Sequence, residues 1–245
     1  MRWQTVMALA LVGSLAASAA TADTIDFSTD PNLATEWTQY PFYSSLKVGP
    51  LTAAWNSVDQ NLDLTANNTE ALDGLYKTGA TRSEMDGVTV TLSDYTANTP
   101  LDGPNWTCAG LVVSASANPD LFSGSASYAL YFQQDYNGGI RYAVNKNGLT
   151  ELHRETLGSI PSTMKLDILR DGADYVFKAN GVELFRDNSN SGTALPNYFI
   201  YWGGGAGDTL SLSADNFGVV PEPTSIAMLI AAGLGLVCYA WRKRR

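Results

Sequence analysis

The sequence predicts an all-β protein, a sandwich of two antiparallel sheets packed face to face. Three observations predict it. Apolar residues recur with a period of two almost everywhere, as where Val88, Val90 and Leu92 alternate with Thr89 and Thr91, a pattern that lines one face of a strand. The pairs Asn147-Gly148, Asp171-Gly172 and Asn180-Gly181 punctuate these runs and suit the positive φ angles of tight hairpins. Helical periodicity is absent, and the short stretches at Pro119–Phe122 and Ser123–Ser127 read as turns.

Taken in order, the chain opens with a leader. Met1–Ala22 has one basic residue (Arg2), an apolar core from Val6 to Ala17 and the small-residue exit Ala20-Thr21-Ala22. That order is the signature of a secretory signal peptide, with cleavage expected after Ala22. Ile25–Ser28, Trp37-Thr38 and Trp55-Asn56 read as opening strands. Leu111-Val112-Val113 is a compact run of the buried-strand type. Tyr128, Leu130 and Phe132 alternate with Ala129 and Tyr131, Asn137-Gly138-Gly139 turns the chain, and Ile140–Val144 resumes.

The clearest segment is the meander from Met164 to Asp187. Lys165–Arg170 places Leu166 and Ile168 on one face, Tyr175, Phe177 and Ala179 share the next, and Val182–Arg186 follows the Asn180-Gly181 turn. Tyr198–Trp202 alternates and runs into Gly203-Gly204-Gly205, which reads as a flexible loop, and Thr209–Val219 is the last strand. The sum is one domain over residues 23–219, with roughly 12 to 14 strands in two sheets.

The tail, residues 220–245, has its own grammar. Pro221-Glu222-Pro223 is followed by a charge-free run from Ile226 to Trp241 and by the basic cluster Arg242, Lys243, Arg244 and Arg245. Counted from Thr224 the run is 18 residues, enough as a helix to reach across a ~30 Å hydrocarbon core. The basic terminus resists translocation and would stay cytoplasmic. This Val-Pro-Glu-Pro-Thr-Ser motif, short span and Arg-Lys-Arg-Arg end resembles the PEP-CTERM sorting signal. The resemblance implies export, recognition and cleavage near the motif by an exosortase-type membrane protease, and delivery to the cell surface or extracellular matrix. The chain would be anchored in the inner membrane in transit.

Composition narrows the function classes. Between leader and tail there are 10 Lys and Arg against 23 Asp and Glu, a net charge of −13, which argues against nucleic acid and anionic membrane surfaces as partners. Cys108 is the only cysteine of the domain and His153 the only histidine. Disulfide frameworks, multi-histidine metal sites and a Ser/His/Asp set beyond His153 are thereby excluded. Cys108 reads as a small buried residue and His153 as an exposed strand residue. Asn67-Asn68-Thr69 and Asn105-Trp106-Thr107 match the glycosylation acceptor pattern and read as exposed loops.

The opening strands, the 166–185 meander and the closing Ala214-Asp215-Asn216-Phe217 together resemble concanavalin A-like (laminin G-like) jelly rolls. In that superfamily the first and last strands pair. The resemblance thus implies that Asp26 lies near Asp215, where some members hold a structural calcium ion. No other cofactor is expected. Several glycoside hydrolases of this fold carry two catalytic carboxylates on one strand. Glu84-Met85-Asp86 has the right local spacing, but Gly87, Val88, Thr89 and Val90 follow without a second Glu, and a retaining mechanism needs two carboxyls about 5 Å apart. The expectation is a non-enzymatic domain that mediates adhesion or contact with extracellular polysaccharide. The alternative is a degenerate or unorthodox glycoside hydrolase. Tyr201, Trp202 and Trp106 are the candidate sugar-stacking aromatics.

Overall fold

The computed structural model describes residues 23–42, 51–83, 86–98, 105–119, 126–148, 150–189 and 193–220. The leader, Glu84, the Pro221-Glu222-Pro223 motif, the expected membrane helix and the basic cluster Arg242–Arg245 lie outside these residues. Among the described residues no helix is long and apolar enough to cross a membrane.

Among the described residues thirteen strands run in the order β1 (Asp23–Ile25), β2 (Trp37–Pro41), β3 (Leu51–Asn56), β4 (Asn61–Lys77), β5 (Gly87–Asn98), β6 (Trp106–Ser114) and β7 (Ser127–Asp135). They continue as β8 (Ile140–Lys146), β9 (Thr150–Leu157), β10 (Thr163–Asp171), β11 (Asp174–Ala179), β12 (Val182–Asp187) and β13 (Asn197–Val220). One helical turn, α1 (Leu33–Glu36), precedes β2. It is too short to leave a periodic trace in the sequence.

Every strand pairing is antiparallel, and two long strands serve both layers. The first half of β13 lies between β6 and the second half of β4, with β7, β8 and β9 beyond β6 and β2 beyond β4. Call this layer I. The second half of β13 lies between β5 and the first half of β4, with β10, β11 and β12 beyond β5 and β3 beyond β4. This is layer II. Where β4 ends, β1 takes its place against the last residues of β13, with Asp23 opposite Val219 and Ile25 opposite Phe217.

The crossover from one layer to the other is made at glycines. The Gly203-Gly204-Gly205 segment, expected as a loop, is inside β13. A Cβ at Gly203 would lie 2.0 Å from the Ala71 carbonyl oxygen, so the strand can pass β4 at this distance only without a side chain. The register with β4 slips between Gly204 and Thr209, which marks an irregularity at the bend. Glycines that sequence reasoning reads as a turn here serve a close approach of two backbones.

The layers meet in one core. Leu111, Val113, Leu130, Phe132 and Val144 come from layer I; Val88, Val90, Leu92, Leu166, Ile168 and Phe177 come from layer II. Rings lock the layers together: Tyr95 against Phe132 at 4.7 Å and Tyr128 against Tyr175 at 4.5 Å. Their burial supplies the main driving force for a domain without disulfides. The meander is as expected: Asn180 and Gly181 both have positive φ, and Leu166, Ile168, Tyr175, Phe177 and Ala179 face the core. Cys108 is buried.

One end of the sandwich carries both chain exits and a buried polar cluster. Tyr128 Oη and Lys146 Nζ both donate to Asp187 Oδ2, at 2.6 and 2.8 Å, joining β7 and β8 to β12. Burial alone would raise the Asp187 pKa, but these bonds and two from Ser189 outweigh it and hold the carboxyl well below its ordinary value. The Arg170 guanidinium lies 4.4 Å above the Tyr175 ring at the same end.

Candidate functional site

A sheet face turned away from the core is ordinarily polar. The outer face of layer I is not. Alternation on each strand sends one set of side chains inward and the other outward. Here the outward set includes Phe42, Leu72, Cys108, Val112, Ala129, Phe199 and Tyr201, a second apolar cluster separate from the core. Half-buried Tyr40, Tyr76, Trp106 and Tyr131 pack around it.

One row across this face has a simple logic. Strand register aligns Tyr40, Gly74, Tyr201, Gly110, Tyr131, Ala143 and Arg154 on neighbouring strands. Three tyrosines thus alternate with residues that have little or no side chain. A Cβ at Gly74 would lie 2.1 Å from Phe42 Cζ, and one at Gly110 would lie 2.2 Å from the Leu130 carbonyl oxygen and 2.8 Å from Tyr131 Cβ. Gly74 therefore leaves room for the Phe42 ring over β4, and Gly110 lets β6 and the β7 backbone approach closely. Tyr131 meets Tyr201 edge-on at 5.9 Å, while Phe199 meets Phe42 at 5.2 Å and Tyr76 at 5.1 Å, within the range of favourable aromatic pairs.

Polar groups border the aromatic row on the β7–β8 side. Tyr131 Oη donates to Asn145 Oδ1 at 3.2 Å, Gln133 Nε2 donates to Asp135 Oδ1 at 2.8 Å, and Arg141 pairs with Asp135 Oδ2. Arg141 Nε is buried without a hydrogen-bond partner. Burial pushes the Tyr131 and Tyr201 hydroxyls above their ordinary pKa, so both are neutral hydrogen-bonding groups at any physiological pH.

At the far end of this face from the chain exits, Asp208 ties three segments together. Its Oδ2 accepts from the Trp106 and Gly205 backbone N–H groups, both at 2.9 Å. The residue is 0% exposed, and Oδ1 is buried with no hydrogen-bond partner. Burial pushes this carboxyl up to about 6, against the lowering effect of the two N–H groups. Beside it, Tyr95 Oη and Thr107 Oγ1 share a bond of 2.6 Å.

The expected site residues are divided by this geometry. Trp106 and Tyr201 both belong to the outer cluster, Trp106 half-buried and Tyr201 3% exposed. Trp202 points the other way. It is 0% exposed in the core, with Nε1 donating to the Thr65 carbonyl at 3.1 Å. Strand alternation puts Trp202 on the face opposite Tyr201, so it cannot stack on a ligand together with it. His153 is half-buried rather than exposed, stacked on Phe185 at 5.7 Å. Of the two acceptor-pattern asparagines, Asn67 is exposed but lies in β4 and not in a loop, while Asn105 is half-buried just ahead of β6, where Thr107 is buried.

Asp26 and Asp215 do come together at the paired ends. Asp215 is raised by burial and further by the Asp26 charge, opposed by the Asn216 N–H. Asp26 is lowered by the Ser28 N–H and hydroxyl, which both donate to its Oδ1. The Asp215 oxygens accept from Asn216 N and Nδ2. Among the described residues no group of three or more His, Cys, Asp or Glu gathers to hold a metal ion. Asp171 and Asp174 both pair with Arg186.

Sequence reasoning missed Tyr40, Tyr131, Gln133, Asp135 and Arg141. The outward positions of β7 could be read as alternate residues, but the alignment of Tyr40, Tyr201 and Tyr131 depends on a register that the sequence does not print.

Residues 219–245 match the model of the PEP-CTERM protein-sorting motif. By sequence, no curated protein matches the chain. Solved structures that share the fold include the following three. A Bacillus licheniformis beta-glucanase is 9% identical, with 84% of this chain and 100% of that one covered and a TM-score of 0.53. A legume lectin-like domain from Entamoeba histolytica is 10% identical, covering 83% and 99%, also at 0.53. A Bacillus subtilis protein of unknown function with a galectin-like fold is 12% identical, covering 80% and 94%, at 0.51. The fold is a concanavalin A-like jelly roll, and the sorting motif marks an exported, surface-targeted protein.

Proposed function

We propose that this exported surface protein uses its sandwich as a non-catalytic module that contacts extracellular polysaccharide through the outer face of layer I. The observation that carries the reading is the set of half-buried rings Tyr40, Tyr131 and Trp106, packed around the buried Tyr201 and bordered by Gln133, Asp135 and Arg141. Flat rings with polar edges suit sugar rings, which have an apolar face and a hydroxylated rim. The fold neighbours include a glucanase and a lectin-like domain, so fold alone favours neither class. Against hydrolysis stands the make-up of the central strands. β6 and the first half of β13 turn Trp106, Cys108, Gly110, Val112, Phe199 and Tyr201 outward, none of them acidic, where a retaining mechanism needs two carboxyls about 5 Å apart. Asp86 stands at the entry to β5, in the other layer.

The sorting motif calls for an exosortase-type protease as processing partner, and we take the tail to be cut near the motif after membrane transit. The binding test is a glycan array with the exported protein, run with and without calcium because Asp26 and Asp215 converge. Saturable binding is expected, weakened at least about tenfold (about 1.4 kcal/mol) in Trp106→Ala and Tyr131→Ala. No binding in either buffer would sink the polysaccharide reading. Release of reducing ends from a bound glycan would replace it with the hydrolase.

A further inference from the structure

β13 leaves layer I just where β6 begins. Their ladder ends with Gly204 opposite Thr107, and from Thr209 the strand is paired with β5 in layer II. Trp106, the first residue of β6, is therefore one position past the last partner that β13 offers it. An N–H left there without an acceptor would cost about as much as a lost hydrogen bond. Asp208 supplies the acceptor: its Oδ2 accepts from the Trp106 N–H and from the Gly205 N–H, both at 2.9 Å. A side chain of the departing strand does what its backbone no longer can.

The two segments also touch with no side chain between them. A Cβ at Gly204 would lie 3.0 Å from the Trp106 carbonyl oxygen, and one at Gly205 would lie 3.2 Å from Asn105 Cα. On the β7 side the Tyr136 N–H donates to the Asn105 carbonyl at 3.0 Å, and Asp135 lies opposite Trp106. The backbone that carries the Trp106 ring is thus held from both sides, and the polar grip from β13 is one carboxylate. That carboxylate is buried, with Oδ1 unpartnered, an arrangement that costs stability when the group is charged. Charged, it is also the better acceptor, since N–H bonds to a carboxylate are roughly twice as strong as those to a neutral oxygen.

Building on the polysaccharide reading above, we infer that Asp208 is a positioning residue for the outer face of layer I: ionised, it fixes Trp106 for the ligand, and contact weakens when it takes up a proton. Burial raises its pKa to about 6, so the change falls in the mildly acidic range. Stability and contact then move in opposite directions on acidification, because the proton relieves the buried charge while it loosens the clamp. The groups facing the clamp do not titrate with it. Tyr95 on β5 and Cys108 on β6 are kept neutral by burial, and Asp135 on β7 and Arg141 on β8 pair with each other. His153 is three strands from β6, on β9, stacked on Phe185.

The test takes one glycan bound on the array and titrates it into the exported protein at pH 7.5 and pH 5. Wild-type affinity is expected to fall about fivefold at pH 5, the difference between a charged and a neutral acceptor. Asp208→Asn and Trp106→Ala are each expected to bind equally at the two pH values. In the first nothing titrates at the clamp, and in the second the ring being held is gone. Both keep His153, so a pH dependence that survives in either variant, or none in the wild type, overturns the inference. The clamp is also read without ligand. The Trp106 and Gly205 amide protons, followed by NMR, should shift together with a midpoint near pH 6 and stay still in Asp208→Asn. A wild type that binds no glycan at either pH sinks the polysaccharide reading and with it this use of the clamp, whatever the amides show. Amides that do not titrate overturn the clamp alone.

Discussion

Asp208 offers the sharpest test of the junction behind the candidate face. An ordinary aspartate titrates near 3.9 in an unfolded chain; in the folded protein burial raises Asp208 to about 6. The folded state thus holds its proton more tightly than the unfolded state does. Between about pH 4 and pH 6 the folded protein carries that proton and the unfolded chain does not, so stability falls as pH rises through this window and levels off above it. Two units correspond to about 3 kcal/mol, an upper figure for a carboxylate that can relax toward solvent. We expect a net cost of about 2 kcal/mol at neutral pH.

Asp208→Asn removes the charge and keeps an oxygen for the Trp106 and Gly205 N–H groups. The variant should match the wild type at pH 4 and exceed it by about 2 kcal/mol at pH 7.5, roughly 4–8 °C in Tm for a domain of this size. Thermal unfolding of the exported protein followed by near-ultraviolet circular dichroism at half-unit pH steps measures both curves. Superimposable pH profiles, or a variant less stable than the wild type at pH 7.5, would refute the reasoning. Asp208 would then be a carboxylate stabilised by its two N–H donors.

Two further perturbations bear on the frame. Gly203→Ala drives a Cβ to 2.0 Å from the Ala71 carbonyl oxygen, contact between two backbones that cannot swing aside. A loss above about 3 kcal/mol or failure to fold is expected by chemical denaturation, against about 1 kcal/mol for Gly138→Ala, whose turn has a φ of 77° but open space around it. Asp187→Asn removes the anion that Lys146 and Tyr128 share. Because the Asp187 pKa is depressed in the folded state, its contribution is present above about pH 4 and is lost on acidification. The variant should be about 3 kcal/mol less stable at pH 7 and indistinguishable from the wild type in the acid limb of the unfolding profile.

Much of the frame was legible because its signals are local. Alternation placed Val88, Val90, Leu92, Tyr128, Leu130 and Phe132 in the core, and the Asn180-Gly181 pair placed a hairpin where one is found. The pairing of the first and last strands was also anticipated, through resemblance. What escaped depends on distant contacts. The joining of Tyr198–Trp202 and Thr209–Val219 into one bent strand is set by how closely β4 approaches Gly203, and no residue near Gly203 in sequence reports that distance. The assignment of Trp202 to a sugar site failed for a related reason. Tyr201 and Trp202 are adjacent in sequence and opposite in space, and the choice between them is made by which face meets layer II.

The chain exits and the aromatic face can be placed relative to each other. Asp23 and Val219 are paired at one end of the sandwich, which Tyr128, Tyr175 and Asp187 seal. Trp106 and Asp208 lie at the other end, one length of β6 away, about 25–30 Å at the rise of an extended chain. The outer face of layer I runs along that length. On that face Phe42, Phe199 and Tyr201 are 0–3% exposed, so the proposed polysaccharide contact has to be made through the half-buried rings Tyr40, Tyr76, Tyr131 and Trp106 that pack around them, and truncating Trp106 or Tyr131 is the perturbation that reaches it.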